Sequence, residues 1–226
     1  RDGSGKPQSI TARMELGLIE GFPIVFVGTG RYLGTDDLVD PASLVPPNQW
    51  AYQQSFYAIK DQGTTYPNFR LANVVENKII NNGPTSRTTS AKVDFDWNTK
   101  DGWFMDFNPG NDSPGERVNL DLQLVQGTLI VATNVPNNSA CAVGGDSWIY
   151  QFDYKSGTFV QSSALGVAGT KFTGQITVGL VVVRLPSGVF KGIATGATGT
   201  KTPFAVNIGG GGGAARRISW RELMQR

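Results

Sequence analysis

Three stretches of the chain are versions of one unit, and that repetition limits the possible folds more than any other feature. ARMELGLIEGFPIVFVGTG, NLDLQLVQGTLIVATN and QITVGLVVVRLPSGVFKGIATG each hold an apolar strand, a glycine-bearing turn (Gly21, Gly127, Gly188) and a second strand. The second strands end alike, at Val27-Gly28-Thr29, Val131-Ala132-Thr133 and Ile193-Ala194-Thr195. Two units continue into a further related strand, SFYAIKDQG and SWIYQFDYKSG, which aligns Tyr57 with Tyr150 and Ile59 with Phe152. A hairpin followed by a third strand is a β-meander, and repeated meanders build β-propeller blades. The reading is all-β: hairpins near 10–30, 118–134 and 174–195, further strands near 54–61 and 147–154, and helix only in short turns.

Three units are too few for a ring, which typically needs at least about four blades. Residues 1–226 therefore read as the C-terminal portion of a propeller whose remaining blades are either missing blades of the same protein, the first partner expected, or lie in another chain. Long insertions at 34–53 and 64–91 are placed as loops on the propeller face. The opening RDGSGKPQSIT reads as the cut end of a longer polypeptide, so the absence of a signal peptide says nothing about compartment. Residues 209–226 read as a glycine-rich hinge and a closing segment. In that segment Ser219 and Glu222 have capping-box spacing for a last helical turn from Trp220. An incomplete ring leaves sheet faces and edges open, so the segment expressed alone is expected to be insoluble or to associate.

Composition supports this and removes several chemistries. The 29 glycines, 12 prolines and 17% charged residues suit many short strands joined by tight turns. A net charge of +2 makes no electrostatic case for nucleic acid or a membrane surface. The chain has no histidine and one cysteine, so neither a Ser-His nor a Cys-His pair can form, nor the usual zinc site. Cys141 reads as a buried thiol, with a bridge to sequence outside the chain as the alternative. The longest apolar run, QITVGLVVVRLP, is too short to cross a bilayer, which takes about 20 residues.

The stretch FPIVFVGTGRYLGT comes near a dinucleotide fingerprint but has Gly28, Gly30 and Gly34 in a spacing one residue too long. No helix can follow at once, because Pro41, Pro46 and Pro47 come next. Gly28 and Gly30 are read instead as the crowded end of an inner strand. Trp103, Met105 and Phe107 alternate to one side of a strand and read as core. Glu116 and Arg117 read as a turn-anchoring ion pair. Trp50, Tyr52, Tyr66 and Phe69, on the insertions, read as packing anchors first and as contacts for a ligand second.

Several pieces taken together resemble the C-terminal propeller of the PilY/PilC family of type IV pilus tip adhesins and assembly factors. They are PQSITARMELG, VFVGTGRYLG, QSFYAIKD, GWFMDF with GERV, GGDSWIYQFDYKSG and RRISWREL, in the family's order. The resemblance implies a protein exported through the periplasm to the cell surface, at the pilus tip or outer membrane. It implies a non-enzymatic role in pilus extension, twitching and adhesion. The implied partners are minor pilins or other tip components and a host or abiotic surface ligand. It also implies calcium in the family's propeller, held by an EF-hand-like loop. The nearest stretch here, VDFDWNTKDGW, carries Asp94, Asp96, Asn98 and Asp101. It has Thr99 where such a loop wants glycine and Met105 where it wants glutamate. Calcium is therefore expected upstream of the chain, with no cofactor, catalytic or metal residue in it.

SFYAIKDQG also fits the blade repeats of quinone-dependent dehydrogenases, but a vicinal cysteine pair is missing, and fold kinship without the site is weak evidence for the reaction. That enzyme and a generic secreted carbohydrate- or protein-binding propeller stand as the alternatives.

Overall fold

A two-residue turn with positive φ at both residues matches the right-handed twist of the strands it joins. Glu20 (φ 53°) and Gly21 (φ 90°) form that turn between Ile19 and Phe22. Gln126 (φ 48°) and Gly127 (φ 81°) form it between Val125 and Thr128. The repeated E-G and Q-G pairs thus fix the first two hairpins. The third turns through a longer loop containing Gly188 (φ 84°).

The computed structural model describes residues 1–34, 37, 53–93, 95–109, 115–137 and 144–209. Within them the strands are β1 (Glu15–Ile19), β2 (Phe22–Gly28), β3 (Ser55–Lys60), β4 (Val74–Asn81), β5 (Ser86–Thr89) and β6 (Gly102–Asp106). Next come β7 (Gln123–Val125), β8 (Thr128–Pro136), β9 (Gly145–Asp153), β10 (Gly169–Phe172), β11 (Thr177–Arg184), β12 (Phe190–Gly196) and β13 (Lys201–Ala205). The described helices are single 3-10 turns at Phe69–Leu71 and Ala164–Gly166. The fold is all-β, and the chain from Gly30 to Gly34 is not helical.

The first unit is β1-β2-β3-β6 and the second β7-β8-β9-β10. Aligned residues hold the same register in both: Val27 faces Tyr57 as Val131 faces Tyr150, and Val25 faces Ile59 as Leu129 faces Phe152. The insertion at 64–91 is a correction to the sequence reading. It supplies β4 and β5, which join the two units into one ten-stranded sheet instead of forming a surface loop. β4 pairs in parallel with β6 through Val74–Lys78, then turns Ile79–Asn81 to β5. Its pattern, VVENKIIN, lacks clean alternation because its two halves face different partners. The third unit, β11-β12-β13, is a separate three-stranded sheet.

The units stack as layers. Phe26, Phe56, Trp103 and Met105 of the first pack on Leu129, Val131, Tyr150 and Phe152 of the second to form the main core. Phe107 joins them, so the alternation of Trp103, Met105 and Phe107 is core. The opposite face of the second unit (Ile130, Ala132, Ile149) packs on Leu180, Val182, Ala194 and Phe204 of the third. One repeat position is out of phase. In a rotational array Ala194 would face away from the second unit as Ala132 faces away from the first, yet both lie in the same layer. Aligning Ile193-Ala194-Thr195 with the other strand ends is therefore wrong in face, since a slip of one residue turns every side chain over.

The glycine-rich stretch is a place of close approach. A Cβ on Gly28 would lie 2.6 Å from Val118 Cγ1, and one on Gly30 would lie 2.3 Å from the Val118 carbonyl oxygen. Val118 donates its N–H to Thr29 and Arg117 donates its own to Asn134, so this segment ties the ends of β2 and β8 together. Gly30→Ala must therefore displace backbone. It is expected to cost about 1–3 kcal/mol in denaturant titration, whereas Gly34→Ala, with nothing within 4 Å, should be near neutral.

Candidate functional site

The segment that crowds Gly30 also carries a fully buried charge. Glu116 is 0% exposed and lies between the ends of the first two units. Its Oε2 takes a hydrogen bond from Arg87 Nη1 at 2.5 Å, and its Oε1 takes bonds from Thr133 Oγ1 at 2.6 Å and Tyr150 Oη at 2.8 Å. Arg87, on β5, also donates to the Tyr150 hydroxyl, and its guanidinium stacks 3.7 Å from the Trp148 ring. The expected Glu116–Arg117 pair is a correction. Arg117 instead donates to the carbonyls of Gly115, Arg31 and Asp37, at 3.0, 3.0 and 2.7 Å. Neighbours in sequence point apart in extended backbone, so each finds a different partner. The network is satisfied and enclosed, so its chemistry is to hold three strands together.

Burial pushes the Tyr150 hydroxyl well above the usual phenol range, and the Glu116 charge adds to this. A group whose pKa is raised on folding contributes stability in full below its unfolded pKa, about 10 for tyrosine. That contribution is lost as pH rises beyond it. Alkaline titration should therefore show stability falling above about pH 10. Tyr150→Phe should flatten that fall while lowering stability at neutral pH, as read by denaturant midpoints across the pH range.

The acidic stretch does not gather. Asp94 lies outside the described residues. The Asp96 carboxylate accepts from Asn98 N–H at 2.9 Å, an Asx turn that holds it below the usual carboxylate range. Asp101 faces Gln62 at 3.0 Å and Asn73 N–H at 3.1 Å. Among the described residues no three His, Cys, Asp or Glu side chains are grouped as metal ligands. Tyr66 and Phe69 meet edge to face at 5.3 Å and pack over Tyr57 and Phe104, which is the anchoring role read for them. Trp50, Tyr52 and Cys141 lie outside the described residues, as does the capping box at Ser219. Sequence reasoning missed Arg70, which donates to Asp106, Ser55 and the Tyr57 hydroxyl and stacks 4.4 Å from Phe104. It fastens the insertion to the first unit.

The third unit presents the most open surface. Val181 and Val183 are 55% and 37% exposed, and they share a face with Ile193 and Pro203 by register. No described residue packs over that face as the second unit covers the other. The seam between the second and third units uses side-chain amides in place of peptide groups. Asn134 bonds both the N–H and the C=O of Thr177, at 2.9 Å each. Gln151 donates to Ala205 C=O at 3.0 Å and accepts from Asn207 N–H at 2.7 Å.

No family profile matches the chain. Among curated proteins it is 32% identical, over 241 aligned residues and 98% of its length, to a type IV pilus biogenesis factor PilY1 homolog of Xylella fastidiosa. It is 25% identical over 69% of its length to type IV pilus biogenesis factor PilY1 of Pseudomonas aeruginosa. The chain spans only 18% and 15% of those two proteins. The crystal structure of the Pseudomonas aeruginosa PilY1 C-terminal domain superposes with a TM-score of 0.68 at 20% identity. That match covers 92% of this chain and 46% of that one, and the fold read from the meander repeats is the same.

Proposed function

The chain is homologous to PilY1 family proteins over nearly its whole length, and on that premise we propose that it supports type IV pilus biogenesis as a binding and structural propeller segment. The observation that carries this reading is the 32% identity to a named pilus biogenesis factor across 98% of the chain. The site geometry agrees in kind. The buried polar side chains of Glu116, Arg87 and Tyr150 are spent on one another, which favours display and mechanical support over chemistry.

In this reading the work is done at the pilus tip or outer membrane after export through the periplasm. Minor pilins or other tip components, and a host or abiotic surface, are the external partners. The missing blades of the same protein are the internal one, and they cover the face of Val181 and Val183. The similar crystal domain is about twice as long as its match here, which supports that assignment. Calcium, where the polypeptide uses it, is held upstream.

In-frame deletion of these residues from the chromosomal gene is expected to reduce twitching zones and surface adhesion while pilin levels stay normal. Asp96→Ala and Asp101→Ala should leave both unchanged. Normal twitching and adhesion after deletion would contradict the proposal, and so would cofactor absorbance with dye reduction by the purified protein.

A further inference from the structure

The formal charge of +2 hides a separation of charge along the chain. Residues 1–153 carry 17 of the 18 carboxylate side chains. From Lys155 to Gly209 there are five cations, Lys155, Lys171, Arg184, Lys191 and Lys201, and no Asp or Glu. Two of the five are matched by the acidic part: Lys155 reaches Glu20 at 3.3 Å and Lys171 reaches Asp146 at 2.6 Å. The three cations of the third unit form no ion pair among the described residues. Arg184 stacks 5.9 Å from the Phe190 ring at the end of β11. Lys191 and Lys201 have neither an ion pair nor a ring contact.

Register places these two lysines. Val182, Ala194 and Phe204 pack on the second unit, so the alternate residues of the same strands face away from it. The middle row of that outer face is Val181, Ile193 and Pro203. Val183, Lys191 and Ala205 lie on one side of it, and Gly179, Thr195 and Lys201 on the other. The outer face is thus an apolar row with one ammonium group on each flank, their Cα atoms about 14 Å apart by strand geometry. Val181, Val183, Lys191, Pro203 and Lys201 are all exposed. The first two units show how layers of this molecule are fastened. They meet through an apolar core, and cation–carboxylate pairs, Arg87–Glu116 and Lys155–Glu20, join them. The outer face of the third unit has the apolar row and the cations and lacks the carboxylates. Covering it with an apolar or basic surface would bury both ammonium groups unpaired, which is strongly unfavourable.

We propose that the surface covering β11, β12 and β13 is an acidic one, which sets one carboxylate opposite Lys191 and another opposite Lys201 on either side of an apolar strip. This rests on the reading that further blades of the same polypeptide cover the third unit, and it adds the chemistry by which they are recognised. Such complementarity orients docking and rejects a surface of like charge. The test uses the full parent polypeptide. Acetylation of Lys191 and Lys201 should run about tenfold slower than that of the exposed Lys78 and Lys92. A water-soluble carbodiimide, which joins an amine to a carboxylate only at contact distance, should link both lysines to Asp or Glu outside residues 1–226 of the same chain. Lys191→Glu with Lys201→Glu should lower the melting temperature by several degrees at low salt and by less at high salt, because salt screens the repulsion. Slow acetylation without those links would overturn the proposal while leaving the covering blades in place. So would a glutamate pair that melts with the parent at every salt concentration. Acetylation as quick as at Lys78 would overturn the proposal and the covering together. Links confined to residues 1–226, or found only in covalent dimers, would also overturn the proposal, and the dimers would assign the face to a second copy of the chain.

Discussion

Arg87→Ala is expected to lower the stability of the parent domain by about 3–5 kcal/mol, because it leaves a carboxylate buried without its cation. Glu116 is wholly enclosed and takes its charged partner from Arg87, with the Thr133 and Tyr150 hydroxyls and the Asn108 backbone N–H as neutral donors beside it. For a domain of this size the loss corresponds to a fall in melting temperature of roughly 10 °C. Arg87→Met with Glu116→Gln removes both charges and keeps an acceptor for the two hydroxyls. That double variant should recover part of the loss. If Arg87→Ala melted within a degree or two of the parent, the buried pair would not be what joins β5, β8 and β9.

The second large effect is on association. Residues 1–226 produced alone should aggregate or form large species in size-exclusion chromatography, because the third unit exposes Val178, Val181, Val183 and Val189. Apolar faces with adjacent unpaired edges template such contacts. Val181→Lys with Val183→Lys should shift the isolated segment toward monomer. In the full-length protein the same pair should destabilise on the proposed reading, in which further blades bury this face. A monomeric, cooperatively melting isolated segment without substitution would contradict the partial-propeller reading. Improved stability of the lysine variant in the full-length protein would contradict the covering of this face.

Local turn chemistry and strand alternation made most of the fold legible. Gly21 and Gly127 mark two-residue turns, and the pairs of Tyr57 and Tyr150 with Val27 and Val131 keep register across the repeats. What escaped was long-range. β4 and β5 carry polar, weakly alternating sequence and join the first two units within one sheet, so residues 64–91 looked like a loop. Ala194 resembles Ala132 in sequence, but a slip of one residue along the strand reverses its face, and nothing local records that. The buried network was equally hidden. Its members lie at positions 87, 116, 133 and 150, and only the fold brings them within hydrogen-bond distance. Adjacency suggested Arg117 as the partner of Glu116, yet the extended backbone sends the two side chains to opposite sides.

The most direct measurement of the functional claim is the amount of surface pili. Pili would be sheared from cells whose chromosomal gene lacks the codons for residues 1–226 and compared with parent cells at equal total pilin. The expected result is a marked fall in sheared pili, restored by the intact gene in trans. Parental levels of surface pili from the deleted strain would contradict the account.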